Sequence, residues 1–352
     1  MAHVLDRIHS DIQALIQGLD NVVVVWDGQI IHTQLTPAFE ALSFENLSPD
    51  DARLDLYNAT LDTEDPAVKY NLENRTQSLV IRVPQKFHAA DTLHVFYLQG
   101  LEDQVQQMII HCEQGAQLNF FEVLANHSTS GINLLTQAVC DDYAQLDYRS
   151  LCAYGKDAVA ALHRQALIGE RANATYTLAV FGDAKLTQNT HHVITGYQGE
   201  SLLKAVTLTS GQQEVFIRSL VEHRAKDSSG NIEHYGVAND ESFLTFEGMG
   251  KILKGMTQSK AFQSTKGVVL APKARLDANP LLVIDEYDVE AGHGAAIGRI
   301  DEEQLYYMMS RGMTKKQAER LIINGFLAPM SDLLQEASFD HYIRQLLSQK
   351  TL

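Results

Sequence analysis

The feature that most constrains the fold is a stretch of about 200 residues, from about Ser78 to about Val289, in which short β-forming runs alternate with turn residues. Runs rich in Val, Ile, Leu, Thr, Phe and Tyr fall at 79–83, 108–112, 118–123, 175–180 and 215–221. They predict about a dozen strands, more than an immunoglobulin-like sandwich of roughly 100 residues contains. A barrel, a double sandwich and a β-solenoid all fit the pattern, because no strict sequence repeat selects one of them.

The region before this stretch has a mixed pattern. Apolar residues at three-four spacing between Leu5 and Leu19 predict an amphipathic helix. Two β-rich runs over 22–35, separated by Asp27-Gly28, predict a hairpin, and helical signals cover 38–61 with a gap at Ser48-Pro49. We therefore treat residues 1–77 as a mixed helical and β region and residues 78–298 as the β core.

Residues 299–352 carry helical signals. Asp301 with Gln304, and then Thr314 with Gln317, have the spacing of capping boxes at two helix starts. Gly312 follows a basic residue where the first of these helices should end, and a third amphipathic segment spans 338–349. The pattern predicts a helical subdomain attached to the β core.

The composition is globular and acidic. Hydrophobic residues make up 45% of the chain, and 44 acidic against 28 basic side chains give a formal charge of -16. Phosphate neutralisation dominates nucleic-acid affinity, so this balance argues against DNA, RNA and anionic membrane surfaces as partners. The densest apolar run, Val22–Trp26, is far shorter than a membrane-spanning helix.

The cysteines and the first residues indicate the compartment. Cys112, Cys140 and Cys152 are an odd number without CxxC spacing, which fits a reducing environment and predicts core thiols rather than ligands. The first residues carry Asp and His where a secretory signal needs a basic start and an apolar run. We expect a cytoplasmic protein.

Motifs for nucleotide or hydrolytic chemistry are weak. The fragment Gly248-Met-Gly-Lys251 lacks the upstream glycine and the hydroxyl residue of a phosphate-binding loop. The sequence has no GxSxG or HExxH motif, although a site assembled from distant strands stays possible at this stage. Any ATP chemistry is therefore expected from a partner.

Histidines and carboxylates in the β core have two interpretations each. His191 and His192 point to opposite faces if they lie on a strand, and His223 and His234 lack ligand-like spacing, so all four are expected to be surface or hydrogen-bonded residues. Alternating acids on a strand over 281–290 usually form a solvated face. These acids are Glu286, Asp288 and Glu290. They could also serve a β-solenoid carbohydrate-active enzyme, which is the alternative from a different class.

The segment around His293 places an imidazole among small residues. Its neighbours Gly292, Gly294 and Gly298 leave the side chain unshielded where the β core meets the helices. The functional interpretation is close approach by another group. The structural interpretation is a tight connection that needs glycine backbone freedom.

Three fragments in the last part of the chain carry a family resemblance. They are Pro280-Leu-Leu-Val-Ile284, His293-Gly-Ala-Ala-Ile-Gly-Arg-Ile-Asp301 and Leu321-Ile-Ile-Asn-Gly-Phe326. Together they strongly resemble the carboxy-terminal signature of the SufB/SufD family of iron–sulfur cluster assembly scaffolds. Weaker similarity extends through Phe246-Glu-Gly-Met-Gly-Lys-Ile252 to 115–122, whereas the amino-terminal region is only loosely similar.

The resemblance implies a fold and partners. It implies a right-handed parallel β-helix core with helical segments at both ends and no nucleotide site. It also implies pairing with a second β-helix and docking of the ATPase SufC on the carboxy-terminal helices. Carried onto this sequence, the ATPase dock would include the residues Asp301, Gln304, Tyr306, Tyr307, Arg311, Gly312, Gly325 and Phe326.

The resemblance is to the D-type branch of the family. B-type members carry a late-strand cysteine and a glutamate after the histidine, whereas this chain has Gly294 after His293, and the cysteine position falls near Thr265. D-type members are proposed to use that histidine at the subunit joint, which makes His293 a candidate iron or cluster ligand, and imidazole can ligate iron beside thiolates.

The sequence thus predicts a non-catalytic scaffold subunit that binds no cofactor tightly by itself and holds a cluster transiently at an interface. Its partners would be a SufB-like subunit and a SufC-like ATPase. A homodimer acting as a minimal scaffold is the alternative within the same class.

Overall fold

Parallel strands stacked in two sheets form the body of the molecule. A computed structural model describes residues 10–126, 129–327 and 337–350. In chain order the strands are β1 (Val22–Trp26), β2 (Gln29–Gln34), β3 (Ser43–Leu47), β4 (Gln77–Val83), β5 (His88–Gln99), β6 (Gln104–Cys112), β7 (Gln117–Asn126), β8 (Ile132–Cys140), β9 (Gln145–Cys152), β10 (Val159–Ile168), β11 (Asn173–Val180), β12 (Lys185–Ile194), β13 (Glu200–Thr209), β14 (Glu214–His223), β15 (Ser229–Ala238), β16 (Phe243–Ile252), β17 (Lys260–Val269), β18 (Arg275–Ile284) and β19 (Glu290–Gly298).

The strands alternate between the two sheets. Sheet A has ten strands in the order β19-β17-β15-β13-β11-β9-β7-β5-β1-β2, and sheet B has nine in the order β18-β16-β14-β12-β10-β8-β6-β4-β3. From β4 onward every neighbouring pair is parallel, so each strand pairs with the next strand but one along the chain. This topology is a β-solenoid of about eight turns, which confirms the predicted β-helix class of fold.

Left-handed backbone conformations recur once per turn at one corner of the solenoid. The residues are Lys86, Gly115, Tyr143, Arg171, Gln198, Asp227 and Gln258, with φ between 51° and 69°. From one turn to the next, their N–H groups donate to a carbonyl of the following corner, as Tyr143 does to Glu170 over 2.8 Å. Because residues of several types occupy this position, the repeat lies in the backbone and escapes a search for sequence repeats.

The amino-terminal region closes one end of the solenoid. β1 and β2 form the predicted antiparallel hairpin, with left-handed Asp27 and Gly28 at the turn, and β1 extends sheet A beside β5. β3 pairs antiparallel with β4 and ends sheet B. Phe39, in a short 3-10 helix (Pro37–Phe39), is fully buried in the solenoid core. Residues before 78 therefore contribute strands to both sheets.

The prediction of helix across 38–61 is only partly right. β3 lies inside this window, because its residues pair with β4, as Phe44 does with Ile81 and Asn46 with Leu79. The helical parts are a 3-10 turn (Ala52–Leu54) and α2 (Asp55–Asn58), and α3 (Pro66–Asn74) follows outside the window. Tertiary pairing with an available sheet edge overrides local propensity here.

The other helices are α1 (Ser10–Gln17), α4 (Glu302–Ser310), α5 (Lys315–Phe326) and α6 (Ala337–Lys350). The apolar residues of α1 and α6 pack on the outer face of sheet A, where Phe339 contacts the Phe121 ring at 4.5 Å between centroids. At the end of α6, Lys350 Nζ donates to Gly182 O over 2.8 Å. The part of the predicted first helix before Ser10 lies outside the described residues.

No helix in the described part of the chain is long and apolar enough to cross a membrane. All three cysteines are buried and unpaired, as the sequence predicted for core thiols.

Candidate functional site

The open end of the solenoid, formed by β18 and β19, differs from the end that Phe39 fills. Each of these two strands has a neighbour on one side only within the described residues. Apolar side chains are exposed around this edge, and they are Phe262, Leu281, Val283, Tyr287 and Ile297. Exposed edge strands with apolar side chains favour pairing with another chain.

The two edge strands are not equivalent. β18 contains Pro280, which lacks a backbone N–H and so weakens any further ladder on that strand. β19 contains no proline and is rich in glycine and alanine, so another backbone can approach it closely. β19 is therefore the better strand for adding a partner strand.

His293 lies in the middle of β19 and faces the interior of the solenoid. It is in register with Gln263 on β17, which is in register with Ile232 on β15, a residue of the apolar core. Residues in register on parallel strands share one face of the sheet. His293 is exposed, and no further turn within the described residues covers it, so its imidazole is available at the open end.

The interior just below His293 is polar. Gln263 Nε2 donates to Leu281 O over 2.6 Å and so links sheet A to sheet B. On β15, one turn below and in register with Thr265, the His234 imidazole is buried and lies 2.9 Å from Ser219 Oγ. Thr265 Oγ1 lies 3.4 Å from His234 Nδ1 on the other side of that ring. The open end therefore presents hydrogen-bonding groups in a solenoid that is apolar near its closed end.

Thr265, near which the resemblance places the late-strand cysteine of B-type members, faces this interior and is buried. It lies in register with Ala295, two residues beyond His293 on β19. A hydroxyl at this place can bond neighbouring polar groups but is a poorer ligand for iron than a thiolate.

The glycines around His293 do not form a tight connection, which corrects the structural interpretation of the sequence. Gly292, Gly294 and Gly298 lie in extended strand β19, and none of them has a positive φ. A Cβ at Gly294 or Gly298 would meet no atom within 4 Å. What these glycines provide is an unobstructed surface beside the imidazole.

The predicted carboxylate face over 281–290 is wrong, because a turn divides this segment between β18 and β19. Glu286 accepts from the backbone N–H groups of Gly255 and Tyr287, each over 2.8 Å. These hydrogen bonds lower the pKa of its carboxyl group. Asp288 accepts from the Gln258 side chain, and Glu290 pairs with Lys260 at 3.2 Å. The three acids serve the corner and the strand edge rather than one catalytic face.

The four other histidines behave as the sequence predicted. His191 and His192 face opposite sides of β12, with His191 Nε2 3.2 Å from Glu222 Oε2 and His192 buried against Ser201. His223 Nδ1 lies 2.7 Å from Ser228 Oγ. Across the described residues, no group of three or more His, Cys, Asp or Glu side chains converges on a metal site.

The first carboxy-terminal helix, α4, begins and ends as predicted and is exposed. The Asp301 carboxylate accepts from Glu303 N over 2.8 Å, so this cap bond goes to Glu303 rather than to Gln304. α4 has no buried residue, and Tyr306 is 75% exposed. Arg311 Nη2 donates to Tyr307 Oη over 3.0 Å, and Gly312 follows with φ 96°.

The second, α5, has the complete capping box of Thr314 and Gln317 and ends against the solenoid. Phe326 contacts the Tyr235 ring of sheet A at 6.2 Å between centroids. Ile323 is buried among the apolar residues that pack on the outer face of sheet A. A Cβ added at Gly325 would meet no atom within 4 Å outside its own helix backbone. Tyr306, Tyr307 and Arg311 thus form a free surface, whereas Phe326 attaches α5 to sheet A.

The residue that sequence reasoning missed is Gln263. A glutamine on a strand looks like an ordinary solvated residue, yet this side chain is 7% exposed and lies directly below His293. The exposed apolar residues Met309, Met313 and Leu321 of the helical pair were not predicted as surface residues either. Only the register of the strands and the packing of α5 identify these positions.

Comparisons with known proteins agree with this arrangement. A family model described as SUF system FeS cluster assembly, SufBD core domain, matches residues 96–326. The iron–sulfur cluster assembly protein SufD of Bacillus subtilis is 31% identical over 274 residues, which are 76% of this chain and 62% of that protein. SufD of Escherichia coli is 24% identical over 188 residues, 53% of this chain and 44% of that protein.

A SufBD family protein of Pyrococcus horikoshii is 26% identical over 278 residues, 76% of this chain and 60% of that protein. The chain therefore spans between 44% and 62% of the length of these three relatives.

Proposed function

Because this chain belongs to the SufBD family of iron–sulfur cluster assembly proteins, and its SufD-named relatives place it with the D-type members, we propose that it is a non-catalytic scaffold subunit. In this role it pairs with a SufB-like subunit, docks a SufC-like ATPase and presents His293 at the joint. The cluster is the cargo of the complex and is held transiently.

The single observation that carries the proposal is the contrast between the two ends of the solenoid. The β1–β2 hairpin, β3 and Phe39 close one end of the solenoid. At the other end, the outer edges of β18 in sheet B and β19 in sheet A have no neighbouring strand within the described residues. A solenoid end of this kind needs a polar cap or a partner to stay soluble. A second β-solenoid of the same family offers matching strands.

His293 supports a role at that joint. Its imidazole faces the interior at the last strand, and the adjacent Gly294 leaves open space beside it. Imidazole ligates iron through a neutral ring nitrogen. A partner seated on β19 would bring its own donor groups within reach of this ring, so that the cargo is held by groups from both chains.

The helical pair α4 and α5 supports docking of an ATPase. Tyr306 and Tyr307 expose aromatic rings on a helix that buries none of its own residues, and Arg311 stacks over the Tyr307 ring at 5.1 Å. Tyrosine and arginine are the residue types enriched at binding hot spots. α5 fixes this surface to sheet A through Phe326, so movement of the docked ATPase could be transmitted to the solenoid.

Co-purification with SufB and SufC of the same organism, followed by anaerobic iron and sulfide analysis, tests the proposal. The wild-type chain should assemble with both and acquire clusters. His293→Ala should assemble normally and acquire few, whereas the matched control His88→Ala, an exposed histidine near the closed end, should acquire as many as wild type. Tyr306→Ala with Tyr307→Ala should lose SufC and keep SufB, and Tyr70→Ala on α3 is the control for an exposed tyrosine.

The same experiment separates the alternatives. If the chain self-associates through β19 and acquires clusters without SufB, the homodimeric scaffold is correct. If it binds neither SufB nor SufC, the scaffold proposal is wrong.

A further inference from the structure

The middle of the solenoid interior is polar around Arg164. This residue lies on β10, four strands before the open edge of sheet B, and is buried. Leu162 and Ala166, two positions away on either side, belong to the apolar core of the solenoid. Because side chains alternate along a strand, the Arg164 guanidinium shares their face and points into the interior.

The chain itself satisfies most of the guanidinium. Nε donates to Tyr148 Oη over 3.3 Å, and Nη1 donates to Gln188 Oε1 over 3.1 Å. Nη2 uses both of its hydrogens, donating to Glu122 Oε2 over 2.7 Å and to Ser150 Oγ over 2.9 Å. Since each of the two terminal nitrogens of a guanidinium carries a pair of hydrogens, the second hydrogen of Nη1 has no acceptor among the described residues.

Further polar atoms beside the guanidinium have no hydrogen-bond partner in the part of the chain that the structure describes. Glu122 Oε1 and Gln188 Nε2 belong to the two groups that already bind Arg164. The hydroxyls of Thr136 and Thr190 are also unpaired, and these residues lie in register with Arg164 on β8 and β12, one on either side of it. The four residues are at most 1% exposed, so bulk solvent does not satisfy these atoms.

The unpaired atoms differ in what they need. Glu122 Oε1 accepts, Gln188 Nε2 and Arg164 Nη1 donate, and the hydroxyls of the two threonines can do both. Buried polar groups in proteins are almost always hydrogen-bonded, either to the protein or to ordered water. We infer that the solenoid encloses ordered water beside Arg164, in which each molecule bonds at least two of these unpaired atoms.

The chemistry of the site selects water over other ligands. The charges of Arg164 and Glu122 cancel, so the site offers no net charge to an ion. It is enclosed, which excludes an organic ligand, and it requires a molecule that both donates and accepts. The enclosed water would complete the hydrogen bonds that a buried ion pair needs to offset its loss of hydration. The inference does not rest on the proposed function.

A crystal structure of the full chain, at a resolution that shows ordered water, tests the inference directly. We expect a water peak at about 2.7–3.2 Å from at least two of the unpaired atoms around Arg164. A region without such a peak would overturn the inference. A peak bonded to donors alone would overturn it as well, because it would identify an anion.

Threonine-to-valine variants provide a second test in solution, because the two possibilities predict opposite signs. Valine has nearly the shape of threonine and lacks the hydroxyl. If Thr190 bonds an enclosed water, Thr190→Val breaks that bond and the denaturant midpoint should fall. A buried hydroxyl without any partner destabilises the folded chain, so its removal should raise the midpoint. A midpoint that is unchanged or higher in both Thr190→Val and Thr136→Val would contradict the enclosed water.

Thr207→Val is the matched control. Thr207 is likewise a buried threonine of a solenoid strand, but its Oγ1 donates to Val180 O over 2.8 Å within the chain. Its replacement should lower the midpoint through the loss of one hydrogen bond, with or without water near Arg164. We expect the fall in Thr190→Val to be comparable to the fall in Thr207→Val.

Discussion

Arg164 and Glu122 form an ion pair inside the solenoid, with Nη2 of the guanidinium 2.7 Å from Oε2 of the carboxylate and almost no exposure of either side chain. The guanidinium also donates to Ser150 Oγ over 2.9 Å and to Gln188 Oε1 over 3.1 Å. Breaking a buried pair by removing one partner leaves an uncompensated charge, whereas removing both does not.

We therefore expect Arg164→Met to lower the free energy of unfolding by about 3–5 kcal/mol. The double variant Arg164→Met with Glu122→Gln should recover part of that loss. Denaturant unfolding checks this, with Lys273→Met as control because it breaks the exposed pair with Glu241. A double variant less stable than Arg164→Met would show that the charge of Glu122 is not what costs stability.

The stability of the fold should decrease in mild acid because its interior histidines are neutral. Burial lowers the pKa of His192 and of His234 to about 3 and that of His223 to about 4. These values lie below the unfolded value of about 6.5, so the unfolded chain binds protons that the folded chain does not. Stability is then fully present above about pH 6.5 and is lost as the pH falls towards the folded pKa values.

The size of the effect can be measured one residue at a time. His192→Gln should reduce the slope of the unfolding free energy against pH by up to about 1.4 kcal/mol per pH unit between pH 5 and 6.5. Equal slopes for wild type and His192→Gln would mean that His192 is protonated in the folded protein.

How far the sequence could predict this molecule depends on what each residue pairs with. The hairpin at Asp27-Gly28 and the capping box at Thr314 are local, and both were predicted correctly. β3 was missed because Phe44 and Asn46 adopt a strand only when β4 offers an edge. The solenoid itself came from the family resemblance, since its once-per-turn repeat is a backbone conformation shared by residues as different as Tyr143 and Asp227.

The candidate site shows the same division. His293 could be singled out from its glycine neighbours and from the resemblance. Gln263 could not, because its position below His293 follows from the register of two strands whose paired residues lie 30 positions apart in the sequence. The hydrogen bond from the Gln258 side chain to Asp288 joins the same two turns at their corner. A turn between Ile284 and Glu290 likewise separates acids that alternate regularly in the sequence.

The three thiols should be inert in the folded protein. Burial raises the pKa of Cys152 to about 11, and a hydrogen bond with Cys140 together with burial raises that of Cys112 well above its ordinary value. Because the thiolate is the reactive form, iodoacetamide at pH 8 should label the native chain slowly at every cysteine and the unfolded chain quickly at all three. Mass spectrometry of labelled peptides measures this. Val159→Cys supplies an exposed control thiol, and native cysteines that react as fast as this control would contradict the burial.

Charges at the open end should prevent association. Val283 on β18 and Ile297 on β19 are each 41% exposed, and a partner strand beside them would bury both. Replacing both by lysine places unpaired charges in that contact, at a cost of at least about 3 kcal/mol, which corresponds to a weakening of association by ~100-fold or more. We expect Val283→Lys with Ile297→Lys to remain folded by circular dichroism and to lose the complex with SufB in sedimentation experiments.

The control for this variant is Val159→Lys, which adds a charge at an exposed valine at the start of β10, away from the open end. It should associate like wild type. If the double lysine variant still binds its partner with wild-type affinity, the interface lies elsewhere on the chain, and the exposed edge of β18 and β19 is not the surface that joins the two subunits. Loss of association in Val159→Lys as well would point instead to a general effect of added positive charge, because that side chain is remote from both edge strands.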